Sequence, residues 1–205
     1  MKVSFNELKS MSKGAARGAG FDWGYAEEIS FAVVWLSKNG YNSATTLLTF
    51  LDNKTIYPPT NTNENIWTNV KGDLDPIKTG VALLDLNISK PIVLESLFLP
   101  LLIVPFVSQL ENAMLLEGNN FKLVIENGFV DNKVKCLPSK SDILKISSIQ
   151  ETQVFNKKGK YPLAKRCKVD DNVWSRLEEL TYRTYAPVTD ESRILGAGSG
   201  LSDND

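Results

Sequence analysis

Helix starts and stops punctuate the first fifty residues so tightly that they admit one local reading. Ser4 with Glu7 three positions later forms a capping box, in which each side chain satisfies an orphan backbone N–H of a helix's first turn. Phe5, Leu8, Ala15 and Ala19 mark the apolar stripe that follows, and Gly18 and Gly20 stop it. Asp22 can cap a second helix, along which Tyr25, Ile29, Ala32, Val33 and Leu36 recur at helical spacing. Lys38-Asn39-Gly40 ends it, with a cation for the dipole and a glycine for the left-handed turn. Ser43 then opens a third, short helix carrying Leu47, Leu48 and Leu51. The spacing predicts a compact helical unit over residues 1–52.

The text turns polar over residues 53–80, around "YPPTNTNEN", and reads as a loop too long for an ordinary connection. Sequence of β type follows in "VALLDLN", "PIVLESL" and "LPLLIVPFV". The clearest hairpin signal is "FKLVIENG" with "FVDNKVKCL", joined across Asn127-Gly128. "DILKISSIQETQVF" holds one more strand, and Asp170 or Asp171 caps a last helix with Trp174, Leu177 and Leu180 on one face. A three-helix N-terminal unit, a central, mainly antiparallel sheet and a C-terminal helix predict an α+β fold. The β-rich part, 81–205, ends in that helix and a glycine-rich tail, and the whole is expected to fold as one domain.

Composition narrows the function. Of 205 residues, 42% are hydrophobic and 23% charged, which is a globular balance, and the formal net charge is −1. That charge gives no electrostatic reason to expect nucleic acid or an anionic membrane as partner. The opening "MKVSFNELKS" lacks the apolar core of a secretory signal. The longest apolar run, Ile92 to Val107, contains Glu95 and two prolines and is not a spanning helix. Cys136 and Cys167 lie far apart with no metal-site spacing and read as reduced thiols of a cytoplasmic protein. There is no histidine. This removes Ser-His-Asp and Cys-His mechanisms, His-ligated zinc and the usual general base. No cofactor is indicated.

Two segments carry candidate chemistry. In "KGAARGAGFDWGYAEE", Lys9, Lys13 and Arg17 are four apart and share one helix face. Gly18 and Gly20 lead into the next helix N-terminus, where backbone amides can approach an anion, and Glu27 and Glu28 sit one turn inside it. The bland alternative is a solvated basic stripe on an ordinary helix–helix turn. In the tail "SRILGAGSGLSDND", the glycines imitate a dinucleotide fingerprint but lack the strand before and helix after that make it work. Asp203, Asp205 and the terminal carboxylate could ligate a hard cation such as magnesium or calcium, against the alternative of a loose chain end.

Those two segments carry a resemblance. Asn6-Glu7-Leu8, Lys13, Ala15 to Gly20, Gly24 to Glu28, Ser192-Arg193, Gly196 to Gly198 and Asp203 to Asp205 resemble the signature of a bacterial family of unknown function. The resemblance implies no activity, but it makes both glycine segments the family's mark. The stretch from Val3 to Leu47 is also similar to the N-terminal helices of the malate/L-lactate dehydrogenase family that lacks a Rossmann fold. That family has an active-site histidine near the start of its third helix, where this chain has Asn42-Ser43-Ala44-Thr45. Neither a nicotinamide site nor a hydride-transfer base carries over.

Taken together, one shared site is expected. Lys13, Arg17 and Arg193 supply cations, Glu27, Glu28, Asp203 and Asp205 supply anions, and Gly18, Gly20, Gly196 and Gly198 supply close backbone approach. Mixed charge around glycine turns suits a carboxylated or zwitterionic metabolite of small-molecule catabolism, bound or transformed with a carboxylate as base. The alternative is a non-catalytic partner or homo-oligomeric assembly subunit, in which the glycine segments pack helices closely at a homodimer interface and the tail docks there; a flat apolar surface around Trp23 and Trp35 would favour it.

Overall fold

The N-terminal helices form where their caps put them. The structure, a computed structural model, describes residues 1–53, 55–86, 90–126, 128–130, 137–149 and 166–185. Helices α1 (Phe5–Gly18), α2 (Trp23–Lys38) and α3 (Ser43–Asp52) follow in order. Both arms of the capping box are made: the Glu7 amide donates to Ser4 Oγ at 3.2 Å, and the Ser4 amide to Glu7 Oε2 at 2.6 Å. Ser4 also ends strand β1 (Lys2–Ser4), which pairs antiparallel with β10 (Arg166–Lys168) and sets buried Val3 opposite Cys167. The Met1 ammonium donates to the Val169 carbonyl at 2.8 Å and to Asp171 Oδ1 at 2.6 Å. These contacts fix the start of helix α6 (Asp171–Tyr182) beside the start of α1. Asp170 caps α6, accepting from the Asn172 and Val173 amides.

From that anchor α6 runs parallel to α1, because farther along the Thr181 hydroxyl reaches the Met11 carbonyl at 3.5 Å. Glycine sets how close the two come. A methyl group at Gly14 would stand 2.5 Å from Thr181 Cγ2, and one at Gly18 would stand 1.6 Å from the Leu180 carbonyl oxygen. The approach lets α6 bury Trp174, Leu177 and Leu180 in the helical core. Each such burial contributes about 1.5–3 kcal/mol.

The second half builds an eight-stranded sheet. Its strands are β2 (Ile56–Tyr57), β3 (Ile66–Trp67), β4 (Asp73–Leu74), β5 (Ile92–Phe98), β6 (Met114–Gly118), β7 (Phe121–Glu126), β8 (Phe129–Val130) and β9 (Lys140–Ser148). The order is β2-β4-β5-β9-β6-β7-β8, with β3 also paired to β5. The long ladders, β5–β9, β9–β6 and β6–β7, are antiparallel; β2–β4, β4–β5 and β3–β5 form a short parallel wing. Helices α4 (Pro76–Asp85) and α5 (Val104–Val107) lie between sheet and bundle. Ile77 and Phe106 join the helical core, whereas Leu83, Val104 and Val107 join the sheet core. The α+β expectation is borne out.

Three readings change. Val81 to Asp85 of "VALLDLN" form the second half of α4, not a strand: buried Asp75 caps the helix, accepting from the Ile77 and Lys78 amides, and Pro76 occupies its first turn. Short apolar runs do not distinguish a strand from a buried helix. "LPLLIVPFV" is a 3₁₀ turn (Pro100–Ile103) leading into α5, since two prolines remove ladder donors from any central strand. Residues 53–80, read as a loop, hold β2, β3, β4 and the start of α4. The predicted hairpin forms between β7 and β8, with Gly128 at φ 76°.

The α1–α6 contact predicts opposite outcomes for two glycines on neighbouring helices. Gly18→Ala forces a methyl into a backbone carbonyl and should cost about 1–3 kcal/mol or more. In Gly24→Ala the new methyl lies an ordinary 3.6 Å from Asp22 Oδ1, so the change should be neutral or stabilise by up to about 1 kcal/mol. Urea denaturation of both variants measures this; equal losses would contradict the close approach.

Candidate site at the turn between the first two helices

Lys13 and Arg17 stand on one face of the last turns of α1, as their spacing demands. The chain then reverses through a Schellman motif. The Gly20 amide donates to the Arg17 carbonyl at 2.9 Å and the Phe21 amide to the Ala16 carbonyl at 3.1 Å. Gly20 takes φ 103°, a conformation L side chains rarely adopt, with open space where a Cβ would be. The reversal turns Phe21 inward, where its ring stacks on Phe50 with centroids 5.4 Å apart. It also sets Asp22 to accept from the Tyr25 amide at 2.9 Å, starting α2.

The first residue of α2 is therefore Trp23, held back against α1. The residue is 61% exposed, yet two cations sit over its ring: Arg17 Cζ lies 4.6 Å and Lys13 Nζ 5.2 Å from the ring centroid. Such contacts contribute about 0.5–1 kcal/mol each when exposed. Lys13 also pairs with Glu27, and that hydrogen bond holds the Glu27 carboxyl below its ordinary pKa. Arg17 Nη1 donates to the Phe21 carbonyl at 2.5 Å, while its buried Nε has no hydrogen-bond partner.

The structure thus gathers Lys13, Arg17, Gly20 and Glu27 around Trp23. It sends the other two described candidates elsewhere. Gly18 faces α6 at Leu180, so its missing side chain serves helix packing. Glu28 is half-buried and turned toward α4, where burial first, then the Asp85 and Glu27 charges, push its pKa up. Arg17 does not pair with Glu28; its guanidinium donates to the Phe21 carbonyl. Arg193, Gly196, Gly198, Asp203 and Asp205 lie outside the described residues, as does Cys136. Cys167 is half-buried, donates to the Val3 carbonyl at 3.7 Å, and has its pKa raised chiefly by burial, which disfavours the reactive thiolate. Ala44 is buried in the first turn of α3. Among the described residues, no group of three or more Asp, Glu or Cys could hold a metal ion, and no helix is long and apolar enough to cross a membrane.

Trp23 is the residue whose place beside Lys13 and Arg17 sequence reasoning missed; it entered there only through the alternative reading. The signal was present. Trp23 follows the Asp22 cap and falls off the stripe of Tyr25, Ile29, Ala32, Val33 and Leu36, so it could not point into the core.

An α+β chain with a cation-roofed aromatic at a helix turn is the class that fold and site define. Residues 3–91 match the family model described as "Protein of unknown function (DUF3726)", bearing out the resemblance to a family of unknown function over that span. The span runs from β1 past the end of α4 and includes the whole α1–α2 turn. No curated protein and no solved structure matches the chain.

The raised pKa of Glu28 has a definite consequence. Below pH about 4.5, the unfolded value, the carboxyl is protonated in both states and contributes nothing. As pH climbs through the higher folded value, the chain must hold a charge it disfavours, so stability falls. Glu28→Gln should therefore raise Tm at neutral pH, and the gain should disappear below pH 4.5. Melting curves across pH check this. A lower Tm for the variant at neutral pH would show a stabilising partner for the carboxylate.

Proposed function

We propose that the protein binds a small carboxylated or zwitterionic metabolite at the α1–α2 turn. The observation that supports this best is the parallel docking of α6 on α1 through Gly14 and Gly18. Both helices end at the same end of the bundle, with Leu180 of α6 against Gly18 of α1, near Arg17; in this reading Arg193, Gly196, Gly198, Asp203 and Asp205, which lie outside the described residues, complete the site. In this reading Arg17 and Lys13 take the ligand's carboxylate, Glu27 takes an ammonium group, and the exposed Trp23 ring covers the apolar remainder. The arrangement favours binding over catalysis. Glu28, the turn's carboxylate of raised proton affinity, faces α4 and not Trp23. Docking of a second copy through Trp23 and Trp35 is less well supported, because cations roof Trp23 and Trp35 packs against both cores.

A thermal-shift screen against amino acids and hydroxy acids tests the proposal, since a ligand of the native state raises Tm. Arg17→Ala should weaken the best ligand about tenfold or more, the scale of a lost charge-assisted hydrogen bond. Lys9→Ala, on the same helix face but exposed, should weaken it less. Equal small effects would reduce the site to a solvated basic stripe.

A further inference from the structure

The opposite end of the bundle, about 21 Å away along the 14 residues of α1, carries a second concentration of charge. A cleft of about 780 Å³ opens there between the β1–β10 ribbon and the α2–α3 connection, lined among others by Lys2, Ser37, Tyr41, Asn42, Arg166 and Lys168. Register makes the basic residues converge. Lys2 lies directly opposite Lys168, and Arg166, two positions along β10, shares their face of the ribbon. Like charges directly opposite one another destabilise a strand pair. Among the described residues none of the three is in an ion pair, and Arg166 Nη1 makes only a long contact, 3.5 Å, to the Lys2 carbonyl.

Two carboxylates lie near this charge: Glu7, bonded to the Ser4 amide, feels the Arg166 guanidinium, and Asp170 is on the cleft wall. The Asp170 carboxylate accepts from two amides at the start of α6. The Met1 ammonium is paired with Asp171. The ten-residue α3 adds to the positive field, because its start has no side-chain cap: Asn42 Oδ1 accepts from the Thr45 hydroxyl at 3.1 Å. By contrast Ser4, Asp22, Asp75 and Asp170 all cap their helices.

We propose that this cleft binds a small anion carrying one or two phosphate groups. A phosphate monoester holds a charge of about −1.5 to −2 near neutral pH, opposite in sign to the surplus that Lys2, Arg166 and Lys168 keep over Asp170 and Glu7. Three cations are too few for a duplex, which proteins grip through about 6–10 phosphates. The site is separate from the α1–α2 turn, and neither reading depends on the other.

Pyrophosphate is the probe. At a hundredfold excess over its Kd, it should raise the Tm of the full chain by about 5–10 °C, saturably, relative to sodium chloride of equal ionic strength. The salt control matters because screening alone relieves repulsion between Lys2 and Lys168. Lys168→Glu should lose the pyrophosphate shift while melting, without the probe, at or above the parent temperature, since it turns a repelling cross-strand pair into an attracting one. Arg166→Gln should also weaken the probe at least tenfold, and it serves where Lys168→Glu fails to fold. A parent shift no larger than that of sodium chloride, or an undiminished shift in the folded variants, overturns the proposal.

Discussion

The closest constraint in the molecule is the Leu180 carbonyl oxygen seated where Gly18 would carry a side chain. It brings together two helices distant in sequence, and the β1–β10 ribbon with the Met1 contacts ties their starts together. The Met1 ammonium and β1 hold β10 and the α6 cap, so α6 begins at a fixed point and runs alongside α1. Gly14 and Gly18 then let the two backbones close up, and Trp174, Leu177 and Leu180 complete the core shared with α2 and α3. Helix packing, more than anion binding, explains why glycines occupy 14 and 18, whereas Gly20 serves a left-handed turn.

The turn itself follows from backbone bonding. A Schellman closure at Gly20 directs Phe21 inward and Asp22 to its capping position, and the residue after the cap must then project from the first turn of α2. That residue is Trp23, and the spacing of Lys13 and Arg17 lays both cations on its ring. The same electrostatic logic explains Glu28. Half-buried, and near the Asp85 and Glu27 charges, this carboxylate carries a local cost.

How much was legible depended on whether structure was written locally. The capping box at Ser4 and Glu7, the Asp22 cap and the glycine stops are near-neighbour patterns, and they gave the helices within a residue or two. The helix at 76–85 was signalled just as locally, by Asp75-Pro76, but its short apolar second half imitated a strand. The β1–β10 ribbon left no trace in the sequence, because three-residue strands separated by more than 160 positions have neither period nor turn to betray them. The site divides the same way. Lys13, Arg17 and Glu27 came from helical spacing, whereas the role of Trp23 needed the reversal at Gly20, and the path of Glu28 toward α4 needed tertiary structure.

That the two ends of the chain form one site can be tested by zero-length carbodiimide coupling of lysines to carboxylates in contact, read by mass spectrometry within one chain. The Lys13–Glu27 pair supplies an internal standard, since these groups already touch. A shared site predicts further links from Lys9 or Lys13 to Asp203 or Asp205. Efficient Lys13–Glu27 coupling with no link from α1 to the last residues would contradict it.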